Sequence, residues 1–245
     1  MTILTLNVII YCMLSILFDS SSGLTPIQRW IVFLLVATAL LISIIMHEIS
    51  HGYVAHWCGD DTAKVNGRLS LNPAKHFDVV GCLMILFVGF GYAKPVPVNP
   101  YNFRSYRKGC IMVSLAGVTM NLLLSLIGAA LYVLSVKFMW SVVVLVYFFL
   151  YFGMFNVSLC FFNLLPFFPL DGFNFWDAVC RRKNGFLRAM RAYGQYILLA
   201  LVLVSIMVDR IGAPIWFSPL DIYFEYTASF VYKWFIKLFA WVFGV

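Results

Sequence analysis

Charge is what this sequence lacks most. Only 11% of its 245 residues are Asp, Glu, Lys or Arg, while 63% are hydrophobic. A soluble domain carries about a quarter charged residues, so this chain has too little polar surface to cover itself in water. Paired cysteines are missing too. Cys12, Cys58, Cys82, Cys110, Cys160 and Cys180 form no CxxC pair and sit mostly in apolar surroundings. That excludes a cysteine zinc cluster and a disulfide framework. The net charge is +7, yet the basic residues form no single patch, which excludes a nucleic-acid partner. No basic stretch precedes the first apolar run and no A-x-A site follows it, so residues 3–18 read as a retained first span.

What is present instead is a series of apolar runs. They lie near 3–18, 30–55, 79–93, 110–134, 138–165, 193–208 and 222–245. Most reach the ~17–25 residues that a spanning helix requires. The run at 79–93 is shorter and contains Gly81, Gly89 and Gly91. Lys64, Arg68 and Lys75 precede it, and Lys94, Arg104, Arg107 and Lys108 follow it. Basic residues collect on the cytoplasmic side, so a run with basic flanks on both ends enters the membrane and returns. A third basic loop holds Arg181, Arg182, Lys183, Arg188 and Arg191, while 19–29, 135–139 and 209–221 carry one basic residue each. The pattern predicts a cytoplasmic N-terminus, five clear spans and one re-entrant segment. The last run, with Lys233 and Lys237 among aromatics, fits either a span or an interfacial amphipathic helix.

Chemistry concentrates in two places. His47-Glu48-Ile49-Ser50-His51 reads H-E-x-x-H at the inner end of a run, 30–46, that has no charge at all. On a helix, residues i and i+4 share a face, so both imidazoles can reach one metal ion. Glu48, beside the first ligand, is placed as general base. A catalytic zinc takes a third protein ligand and keeps one position open. Asp171 is the best donor, in Asn163-Leu164-Leu165-Pro166-Phe167-Phe168-Pro169-Leu170-Asp171-Gly172. Pro166 and Pro169 bar an ordinary helix there, and Gly172 permits positive φ or close backbone approach. The charge-derived topology brings both motifs to the same depth.

These motifs resemble those of the site-2 protease family of intramembrane metalloproteases, which pair HExxHG on one membrane helix with N-x-x-P-x-x-P-x-D-G on a later one. His47–Gly52 and Asn163–Gly172 match both. Gly67–Pro73 with His76, Ala93–Pro100 and Leu115–Asn121 are similar to the short, compact branch of the family, which has Pro where Val118 stands. The likeness covers about residues 40–180 and includes no PDZ or CBS module. It implies one Zn2+ ion held by His47, His51 and Asp171, with Glu48 as base. It implies a strand-like re-entrant segment near 79–95, and a transmembrane or membrane-proximal protein segment as substrate.

The resulting expectation is an all-α polytopic membrane protein of five to six transmembrane helices in one domain, 1–245. Its core is 27–180, with 1–26 and 193–245 peripheral. The expected setting is a prokaryotic cytoplasmic membrane, the site facing the cytoplasm. The partners are the lipid bilayer and a membrane protein or peptide substrate. A catalytically silent zinc scaffold and a metal transporter are the competing readings. Asn121 and Asn163 either hydrogen-bond the substrate or its oxyanion, or tie helices together. The resemblance favours the first role for Asn163. His56 reads as an interface residue, His76 as part of a loop, and Asp60 and Asp61 as a solvated turn.

Overall fold

The computed structural model describes residues 25–76, 94–138, 142–180 and 184–245. The first span, 3–18, and nearly all of the segment 79–95 lie outside the described residues. Among the described residues every regular element is helical. In order they are α1 (Pro26–Cys58), a short α2 (Thr62–Val65), α3 (Tyr106–Phe138), α4 (Val143–Asn163), α5 (Asp171–Val179), α6 (Gly185–Arg210), α7 (Pro219–Phe224) and α8 (Phe230–Phe243). Helices α1, α3, α4 and α6 are long and apolar enough to cross a membrane. They expose large apolar side chains such as Leu34, Ile127 and Leu203, as lipid-facing surfaces do. The chain is therefore an all-α polytopic membrane protein.

Local chemistry sets where α1 begins and ends. Thr25 accepts from the Gln28 amide, and the Gln28 side chain accepts from the Thr25 amide. This reciprocal cap precedes Pro26, a residue suited to the first helical position. Gly59 ends the helix at φ +110°, a conformation that disfavours side chains. The 33 residues between give a rod of about 50 Å, longer than a bilayer's apolar core. His51 sits about 10 Å from its C-terminal end.

Helices α1, α3 and α4 pack together, and polar atoms mark their common level. Asn156 on α4 donates to Ser43 on α1 at 2.7 Å, and both are fully buried. A Cβ at Gly128 on α3 would lie 2.6 Å from Gly153 Cα on α4, so glycine permits this backbone approach. α4 stops at Asn163, and the Pro166–Pro169 stretch turns the chain into α5. Arg107, at the start of α3, donates to the Ala178 and Val179 carbonyls and anchors the far end of α5.

The C-terminal run is a bundle helix rather than a free interfacial one. α7 and α8 join through a π-helical turn, Glu225–Ser229. Tyr223 donates to the Phe161 carbonyl, Tyr232 to the Leu150 carbonyl, and Lys137 to the Phe243 carbonyl. The run is thus antiparallel to α4 and ends beside the C-terminus of α3. At its start the run is tied down by two local contacts: Ser205 donates to Asp221 at 2.8 Å, and Phe224, fully buried, stacks on Phe162.

Candidate active site

Three donor atoms from distant parts of the chain converge where α1, α3 and α5 meet. His47 Nε2 and His51 Nε2 are 3.1 Å apart. Asp171 Oδ2 lies 3.3 Å from the first and 3.2 Å from the second. A tetrahedral ion with arms of ~2.0–2.1 Å would hold its ligands ~3.3 Å apart, so all three separations fit. The side chains are 10%, 12% and 15% exposed, which leaves one open side to the cluster. Asp171 Oδ2 is buried without a hydrogen-bond donor. A buried carboxylate oxygen aimed at two imidazoles, and otherwise unsatisfied, suits a cation between them. These three residues form the candidate metal-holding group among the described residues.

Each donor is placed by its own element. The helical register of α1 stacks His47 over His51. Asp171 opens α5, immediately after the proline-bent turn. Gly172 has ordinary backbone angles; a Cβ there would overlap the Leu164 carbonyl, so glycine serves close approach and not positive φ. Helix α3 backs both imidazoles. His51 Nδ1 lies 2.7 Å from the Val113 carbonyl. A carbonyl can only accept, so Nδ1 carries the proton and Nε2 presents its lone pair to the cluster. Gly117 is where the His47 ring sits, since a Cβ on it would overlap the imidazole. Asn121, fully buried, places its carboxamide 3.1 Å from His47 Nδ1.

Glu48 is held from another direction. Its Oε2 accepts from the Val96 amide at 3.0 Å. Val96 stands in an extended stretch between Pro95 and Pro97, neither of which has an N–H. Two clasps fix this stretch. Arg68 donates to the Lys94 and Pro95 carbonyls at 2.7 and 3.0 Å, and also to Lys75. Asp60 accepts from the Asn99 amide at 2.7 Å, from Asn102 at 2.7 Å, and from Thr62 through both amide and hydroxyl.

The structure brings His47, His51 and Asp171 together, with Glu48 beside them on α1, while several neighbours stand in surroundings that the sequence did not announce. Asn121 is fully buried, with its carboxamide against His47. Asn163 is half-buried and donates to the Leu159 carbonyl of its own helix at 3.0 Å. Asp60 is not a solvated turn: it is fully buried. Burial opposes its ionisation, but the hydrogen bonds from Thr62, Asn99 and Asn102 prevail and hold its carboxyl below the usual carboxylate range. His56 pairs with Asp61 at the surface, and His76 is a buried loop residue whose Nε2 donates to the Ser70 carbonyl at 2.7 Å. Val96 and Gly117 lay within stretches that the resemblance picked out, but without a role, and Val113 left no trace in the sequence.

Comparison with known proteins follows the same lines. Residues 137–205, which contain the Asn163–Gly172 motif, match peptidase family M50. The chain is similar to a Bacillus subtilis protein named "Putative zinc metalloprotease YwhC", with 41% identity over 66% of this chain and 77% of that protein. It is also similar to a Mycolicibacterium smegmatis protein named "Putative zinc metalloprotease Rip2", with 25% identity over 84% of this chain and 78% of that protein. No solved structure matches.

Proposed function

The chain belongs to peptidase family M50, the site-2 protease family, and from that premise we propose that it is a zinc metalloendopeptidase that hydrolyses a peptide bond in or beside a transmembrane segment of another protein. The observation that carries this reading is the His47–His51–Asp171 cluster with Glu48 beside it. The donor set of two imidazoles and one carboxylate with an open side is that of a catalytic zinc site, here for one ion. When bound there, zinc supplies Lewis-acid polarisation of the scissile carbonyl and activation of water.

The chain's own residues account for the rest. Val96 occupies Glu48 Oε2, leaving Oε1 to take the proton of the attacking water. As the carbon–nitrogen bond breaks, Glu48 returns that proton to the leaving amine. Asn163, which the family motif joins to Asp171, is the candidate to support the oxyanion, a role that requires its carboxamide to leave Leu159. The site lies about 10 Å inside the end of α1, in a bundle faced by lipid, which favours a membrane-embedded substrate over a soluble peptide. Such a helix must unwind before attack, and strand addition is one way to hold it extended. The Lys94 and Pro95 carbonyls and the Val96 amide are already used, and the rest of the segment that the sequence suggested as an edge lies outside the described residues. The compact form and the family resemblance favour a prokaryotic cytoplasmic membrane, the basic loops favour a site opening inward, and the role is regulated intramembrane proteolysis.

The test uses purified protein with a transmembrane substrate. Glu48→Gln is expected to keep one zinc per chain while cleavage falls by ~10²–10⁴-fold. Full cleavage by that variant would remove Glu48 as the base. Absence of zinc from the wild type would overturn the reading as a whole.

A further inference from the structure

We propose that Asn121 is a positioning residue for the metal site: its carboxamide oxygen accepts from His47 Nδ1–H and so turns the Nε2 lone pair toward the ion. The inference rests on the zinc reading above and extends it one layer outward. Val113, Gly117 and Asn121 follow at i, i+4 and i+8, forming one stripe of α3 that lies against both imidazoles. Val113 settles His51, because its carbonyl can only accept. Gly117 makes room for His47. Asn121 is the remaining polar group of the stripe. It is fully buried, and among the described residues its hydrogen-bond partner is His47.

The direction of the amide decides what it does. With its nitrogen toward Nδ1, as placed, the His47 proton must sit on Nε2. Nε2 would then point a hydrogen into the space between His51 Nε2 and Asp171 Oδ2 and close it to a cation. The amide oxygen in that orientation has no partner, so no other bond holds it there. Oxygen and nitrogen of a carboxamide have nearly the same shape, and a half-turn about the side chain exchanges them without moving a neighbour. After the turn the oxygen accepts from Nδ1–H, and both imidazoles face the cluster with lone pairs. Outer partners of this kind fix ring orientation and raise ligand basicity, and their loss costs about 10–100-fold in metal affinity.

The experiment compares zinc affinity, by chelator competition, in detergent-solubilised wild type, Asn121→Leu, Asn121→Ala, Asn121→Asp and Asn121→Gln. Thermal unfolding of the metal-free forms checks that each is folded. Leu and Ala cannot accept a hydrogen bond, and zinc binding is expected to weaken about 10–100-fold. Asp and Gln can accept, and at least one that folds is expected to stay within about threefold of wild type, by the same reasoning. The visible spectrum of the cobalt-substituted protein is expected to shift in Leu and Ala only. Unchanged affinity in Leu and Ala overturns the proposal, as does equal weakening in every variant. Failure of the wild type to bind zinc would instead overturn the zinc site itself, so the two failures are distinguishable.

Discussion

Two buried carboxylates in this protein have opposite surroundings. Asp60, after the end of α1, receives four hydrogen bonds from Thr62, Asn99 and Asn102 and, among the described residues, makes no ion pair. Asp171, at the start of α5, faces two imidazoles with an oxygen that has no hydrogen-bond donor. A saturated carboxylate is a structural staple, since any added ligand would have to displace bonds already made. An unsaturated one, kept in an apolar bundle, is poised to bind. The two regions are nevertheless joined. Asp60 fixes Asn99, the stretch 94–99 carries Val96, and Val96 holds Glu48.

The comparison is broken most directly by removing each carboxylate. Asp171→Ala is expected to lose stoichiometric zinc and with it cleavage, by about 10³-fold or more, since triad-like groups act as a unit. Metal analysis of the purified variant checks this, and retained zinc at one per chain would show that Asp171 is not a ligand. Asp60→Ala is expected to keep zinc yet lose about 2 kcal/mol of stability, because four donors lose their acceptor. Denaturation of the zinc-free protein measures it, and an unchanged midpoint would demote the clasp to a surface feature.

The pH dependence sharpens the contrast. The Asp60 carboxyl is held below its ordinary value of 3.8 in the folded state, so the folded state favours the ionised form. Its contribution is therefore full above the unfolded value and is lost as pH falls through the depressed folded one. The stability gap between wild type and Asp60→Asn is expected to be constant near neutrality and to shrink only in strong acid. A gap that closes by pH 6 would contradict the assignment. The smallest effect concerns a buried pair without charge. Asn156→Leu removes the bond to Ser43 and is expected to cost about 0.6 kcal/mol, the usual worth of an interhelical hydrogen bond within a membrane. A loss of several kcal/mol would make this pair as consequential as the Asp60 clasp.

Much of the candidate site was legible because helical periodicity is a local property. His47, Glu48 and His51 lie within two turns, so their mutual placement needs no knowledge of the fold. Asp171 was legible because prolines bar a helix on one side of it and glycine follows on the other. Asp60 was not legible, because nothing local separates it from Asp61. The first is enclosed by residues some forty positions away and the second pairs with His56 at the surface. The path of the C-terminal run escaped for a similar reason: charge is sparse there, and aromatic packing on α4 set its direction.

The sequence by itself determined an apolar helical bundle and the composition of a metal site, since hydropathy and residue spacing act through the chain's immediate neighbours. Only the tertiary structure decided what surrounds that site. It brought the Val113 carbonyl, the space at Gly117 and the Asn121 carboxamide against the imidazoles, and the Val96 amide against Glu48. Backbone groups and missing side chains have no signature in a sequence, and their effect depends on which helix they meet.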